Sequence, residues 1–144
     1  GGSTGNVAAV LQLTDQTWKE MVGHAYDGLP DEACGLLAGP PGIDRGTVFY
    51  PTRNAAASSR IYEVDPKDLL KADRDAEDRG LQLAGVFHSH THTEAYPSPT
   101  DVAQAPDPAW HYVIVSLRAE APTLRSFRIA DQAVAEEVVA VVGG

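Results

Sequence analysis

Cysteine is nearly absent from this chain. The single thiol, Cys34 in 144 residues, has no partner for an internal disulfide, so nothing calls for an oxidising compartment. Basic residues are also few. Eleven Lys and Arg stand against twenty Asp and Glu, a formal charge of −9, and no basic stripe is available to neutralise phosphates, which excludes a nucleic-acid partner. Long apolar runs are missing too: none approaches the roughly 20 residues that span a bilayer, so no membrane association is expected. The start lacks a basic stretch followed by an apolar one, so no signal peptide is read there, and the cytoplasm is the expected location. Gly1-Gly2-Ser3 reads as a frayed end or cloning remnant, with residues 1–6 outside the fold. Repeats and long linkers are also lacking. Residues 7–142 are therefore expected to form a single domain, large enough to bury its own core.

What is present alternates short apolar runs with two amphipathic stretches. Residues 7–13 read as a strand. Thr14 or Asp15 can then cap a helix whose stripe is Trp18, Met21, Val22, Ala25 and Tyr26, ended by Gly28 and Pro30. Residues 33–38 form an apolar run closed by Gly39-Pro40-Pro41-Gly42, and residues 47–53 follow as its hairpin partner. Residues 54–59 are small and polar, hence loop, and residues 60–64 read as another short strand. Asp65-Pro66 announces a helix to about Arg79, stopped by Gly80, with Asp75 and Arg79 as an i,i+4 pair on a solvated face. Residues 81–88, 111–117, 124–129 and 134–142 read as strands. The order β-α-β-β-β-α-β-α-β-β-β indicates an α/β fold, a mixed sheet with helices packed on it.

The chemistry concentrates in HSHTHTEAYPSPTD, at the end of the apolar run LQLAGVF. Strand side chains alternate, so His88 and His90 point the same way with Cα atoms about 6.5–7 Å apart. Two imidazoles and a carboxylate returning from the next loop, Asp101, make a three-ligand site with one open position, as in catalytic zinc centres. One zinc ion per chain would keep its fourth position for water, acidify that water and polarise a substrate carbonyl. A general base is then required, and Glu32 is the candidate, because it opens an apolar strand where a carboxylate has little structural purpose. Plainer readings exist for each residue. Ser98-Pro99-Thr100-Asp101 fits a capped helix start, and Glu32 could pair with Arg45 or Arg53. Capping and metal binding do not exclude one another.

Together these residues resemble the JAMM, or MPN-plus, zinc metallopeptidases. That signature is an upstream glutamate, His-x-His, seven residues, Ser, two residues, Asp. Here Thr91 to Pro97 separate His90 from Ser98, and Pro99-Thr100 separate Ser98 from Asp101. The resemblance runs from the helix at Asp15 to the last strand and implies a cytidine-deaminase-like fold, a mixed β-sheet sandwiched by helices. It makes His88, His90 and Asp101 the zinc ligands, Glu32 the acid/base and Ser98 a donor to the developing oxyanion. DEACGLLAGP, HSHTHTEAYPSPTD and HYVIVSLR are closest to the small bacterial members that act on ubiquitin-like sulfur carriers. The implied partner is such a carrier with a Gly-Gly C-terminal tail, the implied leaving group cysteine, in a cysteine-synthesis route. Eukaryotic deubiquitinating relatives carry long insertions. Only residues 102–110 separate Asp101 from the next strand here, which points to a small leaving group. An isopeptidase or a carrier-processing peptidase with another leaving group is the alternative, and a homodimer is left open.

A Gly-Gly tail suits a narrow slot, because only glycine lets backbone approach a metal so closely, and it is expected to bind extended along residues 60–64. Asn54, Arg60 and Tyr62 are candidate tail contacts, each equally readable as an ordinary edge residue. His92 lies at the mouth of the site or in solvent. His24 and His111 read as structural, and Cys34 as a small buried core residue sharing a face with Glu32. Val142-Gly143-Gly144 resembles a carrier tail but reads as an ordinary terminus. Two rivals remain. A cupin shares His88-x-His90-x3-Glu94 but would be a nearly all-β jelly roll, and Gln82 and Asp101 stand where it needs glycines. A silent scaffold domain of the same fold would lack one or more metal-site residues, and none is lacking.

Overall fold

Consecutive apolar residues in the central strands go to opposite faces, as the two-residue strand period demands, and this decides the layering. A computed structural model describes residues 10–143; residues 1–6, expected to lie outside the fold, and the expected start of the first strand at residues 7–9 lie outside the described residues. The elements are β1 (Val10–Thr14), α1 (Asp15–Asp27), β2 (Cys34–Gly39), β3 (Arg45–Gly46), β4 (Val48–Thr52) and α2 (Pro66–Asp78). They continue with β5 (Gln82–His90), α3 (Pro99–Ala103), β6 (His111–Ser116), β7 (Thr123–Ala130) and β8 (Ala133–Val142). The strands make one sheet in the order β3-β1-β8-β7-β6-β5-β2-β4. It is mixed: β1 runs parallel to β3 and β8, and β5 to β6, while the remaining pairs are antiparallel.

On one face Leu11, Leu13, Leu37, Phe87, Val113 and Val115 pack against Met21 and Ala25 of α1. On the other, Leu36, Val86, Ile114 and Phe127 pack with Ala72 of α2 and Val102 of α3. Helices therefore cover both faces, as expected, and a jelly roll is excluded. No described helix is long and apolar enough to cross a membrane. Thr14 caps α1 by accepting the Thr17 N–H at 3.1 Å, and Asp65 caps α2, with Pro66 in its first turn. Gly80 ends α2 with φ +73, a left-handed turn that favours glycine. Gly35 serves packing instead: a Cβ there would stand 2.5 Å from the Phe49 ring and 2.7 Å from the Tyr50 carbonyl.

The element order agrees with the sequence reading, but one strand differs in identity. Residues 60–64 are not a strand; only Val64 forms an isolated bridge, with Asn54. Local side chains capture the backbone groups a ladder would need. Ser58 Oγ accepts the N–H of Arg60 and Ile61, while Asn54 accepts the Glu63 N–H and donates to the Ile61 carbonyl. The count is made up by β3, a two-residue strand beside β1 that the sequence reading did not include.

Candidate active site

β5 supplies two of the three converging donors and runs two residues past His88, through His90. Both imidazoles lie on the α2–α3 face, while Phe87 packs on the α1 side. α3 supplies the third donor. The Ser98 hydroxyl accepts the Asp101 N–H at 3.1 Å, and the Ser98 N–H donates to Asp101 Oδ2 at 2.8 Å, a full capping box. Capping thus aims the same carboxylate oxygen at the histidines. Asp101 Oδ2 lies 3.1 Å from His88 Nε2 and 3.2 Å from His90 Nε2, and the two nitrogens are 3.0 Å apart. Four ligands at zinc–nitrogen distance stand about 3.3 Å from one another around a tetrahedron, so this triangle is close to one face of it.

The protons favour a cation as well. His90 Nδ1–H donates to the Glu94 carbonyl at 2.8 Å, which leaves a lone pair on Nε2 of the neutral ring. That lone pair meets a carboxylate oxygen and a second imidazole, an arrangement that needs a positive charge among the three. Burial holds His88 toward its neutral form, outweighing Asp101. Burial alone would raise Asp101, but the two imidazoles beside it and the Ser98 N–H hold it well below the usual carboxylate range. Burial alone would lower His90, but Asp101 and the Glu94 carbonyl hold it above the usual imidazole range, so in the metal-free protein a proton supplies that charge. With the proton released, two neutral imidazoles and an ionised carboxylate make a suitable set for a divalent metal.

Glu32 precedes β2, whose Cys34 pairs with His88. The Ser89 N–H donates to the Ala33 carbonyl at 2.9 Å and the Ala33 N–H to Ser89 Oγ at 2.8 Å. Continued by one residue, this register sets Glu32 beside His90 on the same face. Glu32 is buried, its Oε1 has no partner among the described residues, and neither Arg45 nor Arg53 pairs with it. Burial first, then the negative Asp101, pushes its carboxyl up to about 7 against the pull of His90, within the range of a general base at neutral pH.

The other candidates fall in different places. The Tyr62 ring stacks on His88 with centroids 4.2 Å apart and planes 16° apart. Asn54 spends its amide within the loop, donating to the Glu32 and Ile61 carbonyls and accepting the Ala56 and Glu63 N–H groups. Arg60 and His92 are exposed, and neither side chain is among the groups that converge on the site. Cys34 is buried, its thiol against the Thr52 hydroxyl and the Arg53 carbonyl, and burial pushes it up to about 11. His24 bonds the Cys34 carbonyl, and His111 lies between Glu137 and Asp44; both are structural. Sequence reasoning missed Ser89 and the Glu94 carbonyl. The fully buried serine between the two histidines points to the opposite face, and its position in the motif was the available signal.

The model of the family described as prokaryotic homologs of the JAB domain matches residues 14–130. The chain belongs to this family. JAB domains carry the JAMM or MPN-plus signature, and the match encloses Glu32, both histidines, Ser98 and Asp101. The chain is 50% identical over 134 residues to the CysO-cysteine peptidase of Mycobacterium tuberculosis, covering 92% of each. It is 33% identical to the desampylase of Haloferax volcanii, covering 74% of this chain and 80% of the relative. The solution structure of protein DSY2949 from Desulfitobacterium hafniense superimposes with a TM-score of 0.85 at 37% identity, covering 93% of this chain and 94% of that one.

Proposed function

We propose that this JAB-domain protein is a cytoplasmic zinc peptidase that hydrolyses the amide bond after the C-terminal Gly-Gly of a ubiquitin-like sulfur carrier and releases cysteine. The observation that carries the reading is the convergence of His88, His90 and Asp101 within 3.2 Å of one another, with the buried, unpaired Glu32 carboxylate in the segment just before the neighbouring strand. The 50% identity to a CysO-cysteine peptidase supports the substrate and the leaving group.

A zinc ion held by these three side chains would supply Lewis-acid polarisation of the scissile carbonyl and acidification of a water. Glu32, poised near neutrality, takes the proton as water adds to the carbonyl carbon. It returns that proton to the amine as the C–N bond breaks. The Ser98 hydroxyl accepts from Asp101 through its oxygen and keeps its own proton to donate to the developing oxyanion. Tyr62 walls the site against His88 and also lines an apolar cavity of about 210 Å³ with Leu36, Val64, Leu69, Val86 and Trp110. The carrier tail reaches the site along that cavity, with its glycines innermost. The desampylase similarity favours one second reading, in which the leaving group is a lysine-bearing protein.

Mass spectrometry of a carrier ending Gly-Gly-Cys, incubated with zinc-loaded protein or with Glu32→Gln, tests the proposal. Loss of one cysteine with the native protein alone is expected. His88→Ala is expected to lose both the metal and the activity. An intact carrier with one equivalent of zinc bound would move the substrate to isopeptide conjugates. Failure to bind zinc would overturn the proposal.

A further inference from the structure

The site is polarised along the sheet. The apolar cavity lies on the His88 side, where Tyr62 and Val86 border it. On the His90 side, Ser116 pairs with His90 in parallel register and the Leu117 N–H donates to the His90 carbonyl at 3.0 Å. Ser116, Thr123 and Arg125 share the face of His88 and His90, by the pairing of β5 with β6 and of β6 with β7. With Glu94 and Arg118 they line a second cavity of about 150 Å³. Glu94 joins it to the site, since its carbonyl accepts from His90.

The two arginines differ. Arg125 is held by Glu136 through bonds of 2.9 and 2.6 Å. Arg118 is exposed, and no carboxylate lies within ion-pair distance of it among the described residues; the Glu94 carboxylate lines the same cavity without pairing. Its backbone N–H is fixed by Ser116 Oγ at 3.2 Å. It stands two residues past the partner of His90, in the bend that follows β6, at the end of the sheet where the two histidines lie. A leaving residue with a free C-terminus brings a carboxylate two bonds from the scissile nitrogen, into a site that already holds Glu32 and Asp101. That charge needs a cation on the side away from the tail.

We propose that Arg118 binds the terminal carboxylate of the leaving residue and selects substrates whose scissile bond precedes a free C-terminal amino acid. This deepens the peptidase reading and rests on it. A guanidinium–carboxylate contact at an exposed arginine contributes up to about fivefold to selectivity.

The test compares kcat/KM for a carrier ending Gly-Gly-Cys with a free carboxylate against the same carrier ending in a carboxamide. The native protein is expected to prefer the acid by about two- to fivefold. Arg118→Ala is expected to bring the ratio near one by loss on the acid alone, with Arg118→Lys intermediate. Equal cleavage of acid and amide by the native protein would overturn the inference and leave the peptidase standing. So would a preference that survives in Arg118→Ala, or one abolished by Arg60→Ala instead. Cleavage of neither substrate by zinc-loaded protein would overturn this inference and move the substrate to isopeptide conjugates, and failure to bind zinc would overturn both readings.

Discussion

Replacing Glu32, the proposed base, should strengthen the fold it is taken from. In the metal-free protein the Glu32 carboxylate is buried with an unpartnered oxygen, and its pKa rises from an ordinary 4.5 to about 7. Between those values the folded state holds a proton that the unfolded chain has released. Stability therefore falls as pH climbs through this window and levels off above it. At about 1.4 kcal/mol for each pH unit the full loss is about 3 kcal/mol. Glu32→Gln keeps the shape without the charge, so it should match the native apo-protein below about pH 4.5 and exceed it by about 3 kcal/mol at pH 8 and above. For a chain of this size that is roughly 6–12 °C in midpoint. Chelator-treated proteins would be unfolded in urea across pH 4 to 9, followed by circular dichroism. Carboxylates remote from the site titrate in both proteins and cancel in the difference, while Asp101 and His90, whose charges act on Glu32, respond to its removal and enter the difference with it. Equal stabilities at every pH would refute the buried, unpaired carboxylate on which the assignment of the base depends.

Ser89→Ala removes the acceptor for the Ala33 N–H. It should cost about 1–3 kcal/mol and lower kcat with zinc stoichiometry unchanged, since the serine holds the segment before β2 and not the ligands; an unaltered kcat would count against that role. The Cys34 thiol, buried and raised to about 11, should resist a disulfide reagent at pH 8 until the protein unfolds, and labelling of the native protein would show an accessible thiol. Tyr62→Phe should retain kcat/KM, because the ring and its stack on His88 remain. Tyr62→Ala should lower it severalfold, and equal loss in both variants would make the hydroxyl the working group.

The site was legible because its spacing is read one residue at a time. Alternation alone put His88 and His90 on one face, and the capping signature at Ser98 located Asp101. The helices were legible from Thr14, Asp65 and Gly80 at their ends. The loop at residues 60–64 was not. Its composition permits a strand, and its fate is decided by Ser58 and Asn54, whose side chains take up backbone groups only once the turn has closed. For the same reason Asn54 reads in sequence as a free amide yet has its donors and acceptors engaged within the loop. β3 escaped notice because two residues carry no period, and it forms only where β1 offers an edge.

The mutual bonds between Ala33 and Ser89 tie the segment bearing Glu32 to the strand bearing His88 and His90. The proposed base and the proposed metal ligands are thus spaced by a sheet ladder, which shifts only in whole-residue steps and exposes the wrong face when it does. The connecting segment at residues 118–122 carries none of that alignment, whereas residues 53–65 hold Glu32 through the Ser58 carbonyl and the Asn54 amide. Residues 118–122 can be redesigned to change which residue leaves while Glu32 and the two histidines keep their spacing.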